Sequence, residues 1–94
     1  MNNYKMIIDV SDIWQKYVDE EENMSLEDFI DELVSYLDTK SIDIGDKFGE
    51  EAQVEYEEIL FNIQHNVDDH GEFDYYWDEL YSWSFNYNIL LQID

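Results

Sequence analysis

Apolar residues recur with a helical period in two long stretches of the chain, and each stretch sets that face against a row of acids. Ser25 and Asp28 form an S-x-x-D start, and Leu26, Phe29, Ile30, Leu33, Val34 and Leu37 then follow at the spacing of one helical face. This predicts a helix from Ser25 to about Thr39. At about 100° per residue, Glu27, Asp31 and Asp38 fall within about 40° of one another on its opposite wall. A second helix is predicted from Glu50 to about Asn66, with Ala52, Tyr56, Ile59, Leu60 and Ile63 on the core side. Glu51, Glu55 and Glu58 fall within about 60° on its far wall, where like charges one turn apart cost a few tenths of a kcal/mol per pair. Local helix stability does not account for such rows.

The rest of the pattern is shorter. Tyr4 to Val10 (YKMIIDV) reads as a strand, with Ser11-Asp12 as a helix cap after it. Ile13, Trp14, Tyr17 and Val18 give a short amphipathic helix running into an acidic connector, Asp19 to Asn23, expected to be solvated. Lys40 to Gly49 is expected to be a loop or a short edge strand, because Ile42 and Ile44 alternate with Asp43 and Gly45. Val67 to Gly71 reads as a turn and Phe73 to Ser84 as an aromatic helix. Asn86 to Ile93 reads as an apolar strand, most simply placed beside the N-terminal one. The expected architecture is a single small α+β domain over residues 1–94: three or four amphipathic helices packed on a two- or three-stranded sheet formed from the chain ends.

Charge changes this picture more than composition does. The 94 residues include 25 Asp and Glu, four Lys and no Arg, a formal net charge of −21, while 45% are hydrophobic and 17% aromatic. So apolar a chain folds, and it does so against its own electrostatic repulsion. Nine of the 25 carboxylates lie between Asp19 and Asp38, and the residues after Lys47 hold twelve acids and no lysine. Such a body repels phosphate, which disfavours direct nucleic-acid binding. It has no cysteine, so disulfides and thiolate metal sites are excluded. The N-terminus lacks the basic start and long apolar run of a signal peptide, and no segment approaches a membrane span. A cytoplasmic protein of a bacterial host is expected.

Candidate chemistry is sparse. Asn66, Asp68, His70 and Gly71 only roughly match the opening of a calcium loop, and its closing position is Trp77 rather than Glu. His65 and His70 lack zinc-ligand spacing and read as surface histidines. No nucleophile or phosphate-loop motif occurs, and paired carboxylates carry no specificity when there are 25 of them. No enzyme activity, cofactor or metal is expected. Tyr56, Trp14 and much of the Phe73 to Trp83 run are expected in the core. Tyr75, Tyr81 and Tyr87 lie beside acids, where an interface could use them.

The charge can serve as a solubilising surface, meet a cation or membrane, or fit a basic protein groove. Rows on folded helices favour the last. In size, acidity and layout the chain resembles the phage- and mobile-element-encoded nucleic-acid mimics of the anti-CRISPR and antirestriction type. That resemblance implies an inhibitor occupying the basic groove of a host defence nuclease, with a basic nucleic-acid-binding protein as partner. From helix geometry, the partner-binding residues are expected among Glu27, Asp31, Asp38, Glu51, Glu55, Glu58, Asp68, Asp69, Glu72, Asp74, Asp78, Tyr75 and Tyr81. Two alternatives stand beside it: a nuclease-neutralising immunity protein or antitoxin, and a non-enzymatic acidic adaptor. For the immunity reading, Trp77 to Leu91 (WDELYSWSFNYNILL) is similar to the helix-to-strand run of barstar.

Overall fold

A computed structural model describes residues 3–20 and 23–93, so the Glu21-Glu22 part of the predicted connector lies outside the described residues. The order is β1 (Met6–Asp9), α1 (Ser11–Asp19), α2 (Leu26–Asp38), α3 (Ser41–Phe48), α4 (Glu50–His65), α5 (His70–Asn86) and β2 (Ile89–Gln92). The two strands pair in parallel, Met6 against Ile89 through Asp9 against Gln92, so all five helices lie in the crossover between them. The sheet from the chain ends is thus as expected, with two strands among the described residues and five helices rather than three or four.

The additional helix is α3, which replaces the expected loop or edge strand. Ile42 is 72% exposed while Ile44 is fully buried, so the two isoleucines do not share a face as strand alternation requires. The face that packs is Ser41, Ile44 and Phe48, at helical spacing. Gly49, at φ +100°, ends α3 and starts α4, a backbone conformation that residues with a Cβ rarely adopt. Two helix starts also differ from expectation. Ser11-Asp12 does not cap α1; instead the Asp9 carboxylate accepts bonds from the Ser11 backbone N–H at 2.9 Å and its hydroxyl at 2.6 Å. Helix α5 begins inside the expected turn, because Asp69 accepts from the Glu72 N–H at 2.8 Å and Glu72 accepts from the Asp68 N–H at 2.9 Å, a reciprocal cap.

Elsewhere local signals were followed. Ser25 caps α2 by accepting from the Asp28 N–H at 3.1 Å, and Phe29, Ile30, Leu33, Val34 and Leu37 are buried. Helix α4 is the central element, touching α2, α3 and α5. Its fully buried Tyr56 donates to the Leu37 carbonyl at 2.6 Å, satisfying an end-of-helix acceptor on α2, and Trp83 of α5 donates to the Ala52 carbonyl at 3.2 Å. The core aromatics interlock: Tyr17 stacks on Phe29 at 4.4 Å, and Phe29 meets the edge of Phe73 at 5.4 Å. Trp14, expected in the core, packs against it only partly buried. No helix of the described residues is long and apolar enough to cross a membrane.

Candidate acidic interaction face

Because α4 lies between α2 and α5, its two flanks each form a groove with a neighbour. Between α4 and α5, a depression of about 720 Å³ is walled by Glu55, Glu58, Asp78 and Glu79, with Tyr75, Trp83 and Tyr87 supplying aromatic surface and Asn62 and Asn86 polar amides. Between α2 and α4, Glu27, Asp31 and Asp68 edge a second groove of about 470 Å³ beside His65. Farther along the same two helices, Asp38 and Glu57 edge a third of about 290 Å³, which shares Gln64 with the second and includes the exposed ring of Phe61. These three grooves hold nine carboxylates and none of the four lysines.

The lysines are placed elsewhere. Lys16 pairs with Glu32 at 3.3 Å, both well exposed, and Lys40 sits over the Tyr36 ring at 5.2 Å. The Lys16 pair is the only ion pair among the described residues. With 6120 Å² of accessible surface, the average is about 290 Å² per net charge, against about 110 Å² for a DNA duplex about 20 Å wide. Gathering acids onto α2, α4 and α5 brings this face nearer to the duplex value.

The structure separates the expected partner-binding residues. Glu55, Glu58, Tyr75 and Asp78 come together in the α4–α5 groove, and Glu27 and Asp31, one turn apart on α2, meet Asp68 of the α4–α5 turn. Asp38 lies one groove farther on. Glu51 and Asp74 are exposed but line none of the grooves, and Asp69 and Glu72 are engaged in capping α5. Tyr81 is on another side of α5, beside Tyr4, Phe85 and Leu90.

Glu57 and Glu79 were not singled out from the sequence, yet both line grooves. Glu57 also accepts from the buried Ser41 hydroxyl at 2.7 Å, tying α4 to α3. Glu79 follows Asp78 directly, and that adjacency was the available signal. Tyr87 donates to Glu55 at 2.6 Å; this hydrogen bond, followed by burial and the charges of Glu55 and Glu51, pushes its phenol up to about 12. Glu55 is thereby held against the groove wall. On the core side of α4, burial first and then the Asp38 charge raise the Tyr56 phenol far above its ordinary value.

Among the described residues, no three His, Asp or Glu side chains converge to hold a metal ion. His70 meets the Tyr17 hydroxyl at 3.1 Å and His65 packs on Phe61. The face can offer fixed negative charge, hydrogen-bond acceptors and aromatic edges to a cationic surface. Comparison of the chain with protein-family models, curated proteins and solved structures finds no match.

Proposed function

We propose that this protein inhibits a host nucleic-acid-binding defence nuclease, a CRISPR effector or a restriction enzyme, by filling its basic groove as an acidic mimic of DNA or RNA. The observation that carries this reading is the set of nine groove carboxylates on α2, α4, α5 and the α4–α5 turn, with no lysine among them. Acids one turn apart on a helix are separated by about 6 Å along its axis. Neighbouring helices repeat that row about 8–10 Å away. A two-dimensional acidic lattice on a rigid body attracts a groove built for phosphate, speeds encounter and excludes the nucleic acid that would otherwise lie there. The inhibitor needs no catalytic group, metal or cofactor, and it acts in the cytoplasm of a bacterial host.

Capturing the partner from host lysate and measuring competition against its own DNA or RNA tests the proposal. Mutually exclusive binding that weakens steeply with salt is expected. Simultaneous binding of inhibitor and nucleic acid, with activity lost, removes mimicry and leaves inhibition by another route. A captured toxin nuclease encoded beside this protein instead supports the immunity-protein reading.

A further inference from the structure

The surface formed by the outer row of the sheet and the adjoining side of α5 has the opposite chemistry. Strand alternation and the register place Ile8 and Leu91 in the core and Ile7 and Leu90 together on the outer face, where Ile7 is 58% exposed. A shallow depression next to Leu90 is lined by Tyr4, Tyr81 and Phe85 and contains no carboxylate. Tyr4, Tyr81 and Phe85 are 39%, 54% and 79% exposed. Parallel sheets almost always have both faces covered, and here only the inner one is.

We propose that a second copy of this chain docks on the outer face of the β1–β2 sheet and the adjoining Tyr81–Phe85 side of α5, forming a two-fold dimer that leaves both acidic faces outward. Three observations choose this occupant. At about 150–250 Å² per aromatic side chain, the exposed parts of the patch come to about 500 Å² per copy. Two copies therefore bury about 1,000 Å², the level at which specific interfaces begin. The outer row along β1 reads Lys5, Ile7, Asp9, a pattern that complements itself when a second β1 runs antiparallel across it, Lys5 of each copy meeting Asp9 of the other. Asp9 is exposed, and its carboxylate is fixed in place by the bonds it accepts from Ser11. Finally, two bodies of charge −21 approach most cheaply where the facing surfaces carry no net charge, as here, where Lys5 and Asp9 offset each other beside an apolar depression.

The dimer stands independently of whatever the acidic face binds. Long-range repulsion opposes it, so salt strengthens it: sedimentation equilibrium should show the dimer Kd falling at least tenfold between about 20 mM and about 500 mM sodium chloride. Phe85→Asp and Ile7→Asp, each at an exposed position, should raise that Kd at least tenfold with the circular dichroism spectrum unchanged. Lys5→Glu should also weaken the dimer. A monomer at millimolar protein across the whole salt range overturns the proposal. So does a dimer indifferent to Phe85→Asp and Ile7→Asp, which would place the contact elsewhere.

Discussion

The α2–α4–α5 face and the outer sheet face come from one chain and respond oppositely to the same solvent. The first gathers nine groove carboxylates without a lysine, and the second lines its depression with Tyr4, Tyr81, Phe85 and Leu90 without a carboxylate. On the two proposals above, salt should weaken binding at the acidic face and strengthen association through the apolar one, so the two can be separated without mutation. The difference between these faces is also the difference between a surface specified by charge and one specified by shape.

The largest effect should come from the layer beneath both faces. Leu33→Ala, at a fully buried position of α2, should cost about 2–5 kcal/mol in urea unfolding through the cavity it leaves. Binding and association should both fall only as far as the protein unfolds. Selective loss of one with the fold intact would show that the faces are not independent surfaces on a common core.

Next in size is the acidic face itself. Replacing Glu55, Glu58 and Asp78 together by Gln, Gln and Asn should weaken partner binding at low salt tenfold or more, which is about 1.4 kcal/mol or more. The same is expected for Glu27, Asp31 and Asp38 replaced together. Neither change should lower the melting temperature, since each relieves like-charge repulsion. Glu51→Gln, at an exposed position outside the grooves, is the control and should change binding little. Full binding by both triple variants would reduce the rows to solvated surface.

Without any partner, raising salt from about 20 mM to about 150 mM should raise the melting temperature by a few degrees, because screening by as little as about 1 kcal/mol shifts a domain of this size by about 4–8 °C. Indifference to salt would mean that the acidic face is not self-repelling, and the contrast between the faces would lose its electrostatic basis.

The smallest expected effect is local to the α4–α5 groove. The Tyr87 phenol is raised from its ordinary 10.0 to about 12, chiefly by its hydrogen bond to Glu55. A folded pKa above the unfolded one means that the bond's stabilisation is present in full below pH 10.0 and is lost as pH rises through about 12. Melting temperatures of the parent and Tyr87→Phe should therefore converge across that alkaline window, with the parent slightly higher below it. A constant difference across the window would detach the phenol from Glu55.

Where one physical requirement ruled, the sequence was readable. The buried stripe of α2 and its Ser25 cap, the core side of α4, and the use of both chain ends as strands follow from periodicity and capping within a few neighbouring residues. The α3 segment departs from the expected loop or edge strand because two isoleucines separated by one residue suit a strand over that short span, while its helical face is completed only by Ser41 and Phe48. Asp69 and Glu72, expected among the partner-binding residues, also cap α5, a role that their D-x-x-E spacing before an apolar run signals.

By itself the sequence determined the sign and size of the charge, the helices that carry most of it and the positions that must turn inward, because these depend on residue type and on helical geometry alone. Only the tertiary structure decided that α4 lies between α2 and α5, that Asp68 joins Glu27 and Asp31, and that Tyr75 of α5 enters the acidic groove while Tyr81 sits beside Tyr4 and Leu90. Helical periodicity fixes the angle of a side chain about its own axis. Which neighbour that angle faces is set by how the buried stripes of five helices fit around Tyr56, Trp83 and Phe29, a packing problem whose partners lie far apart in sequence.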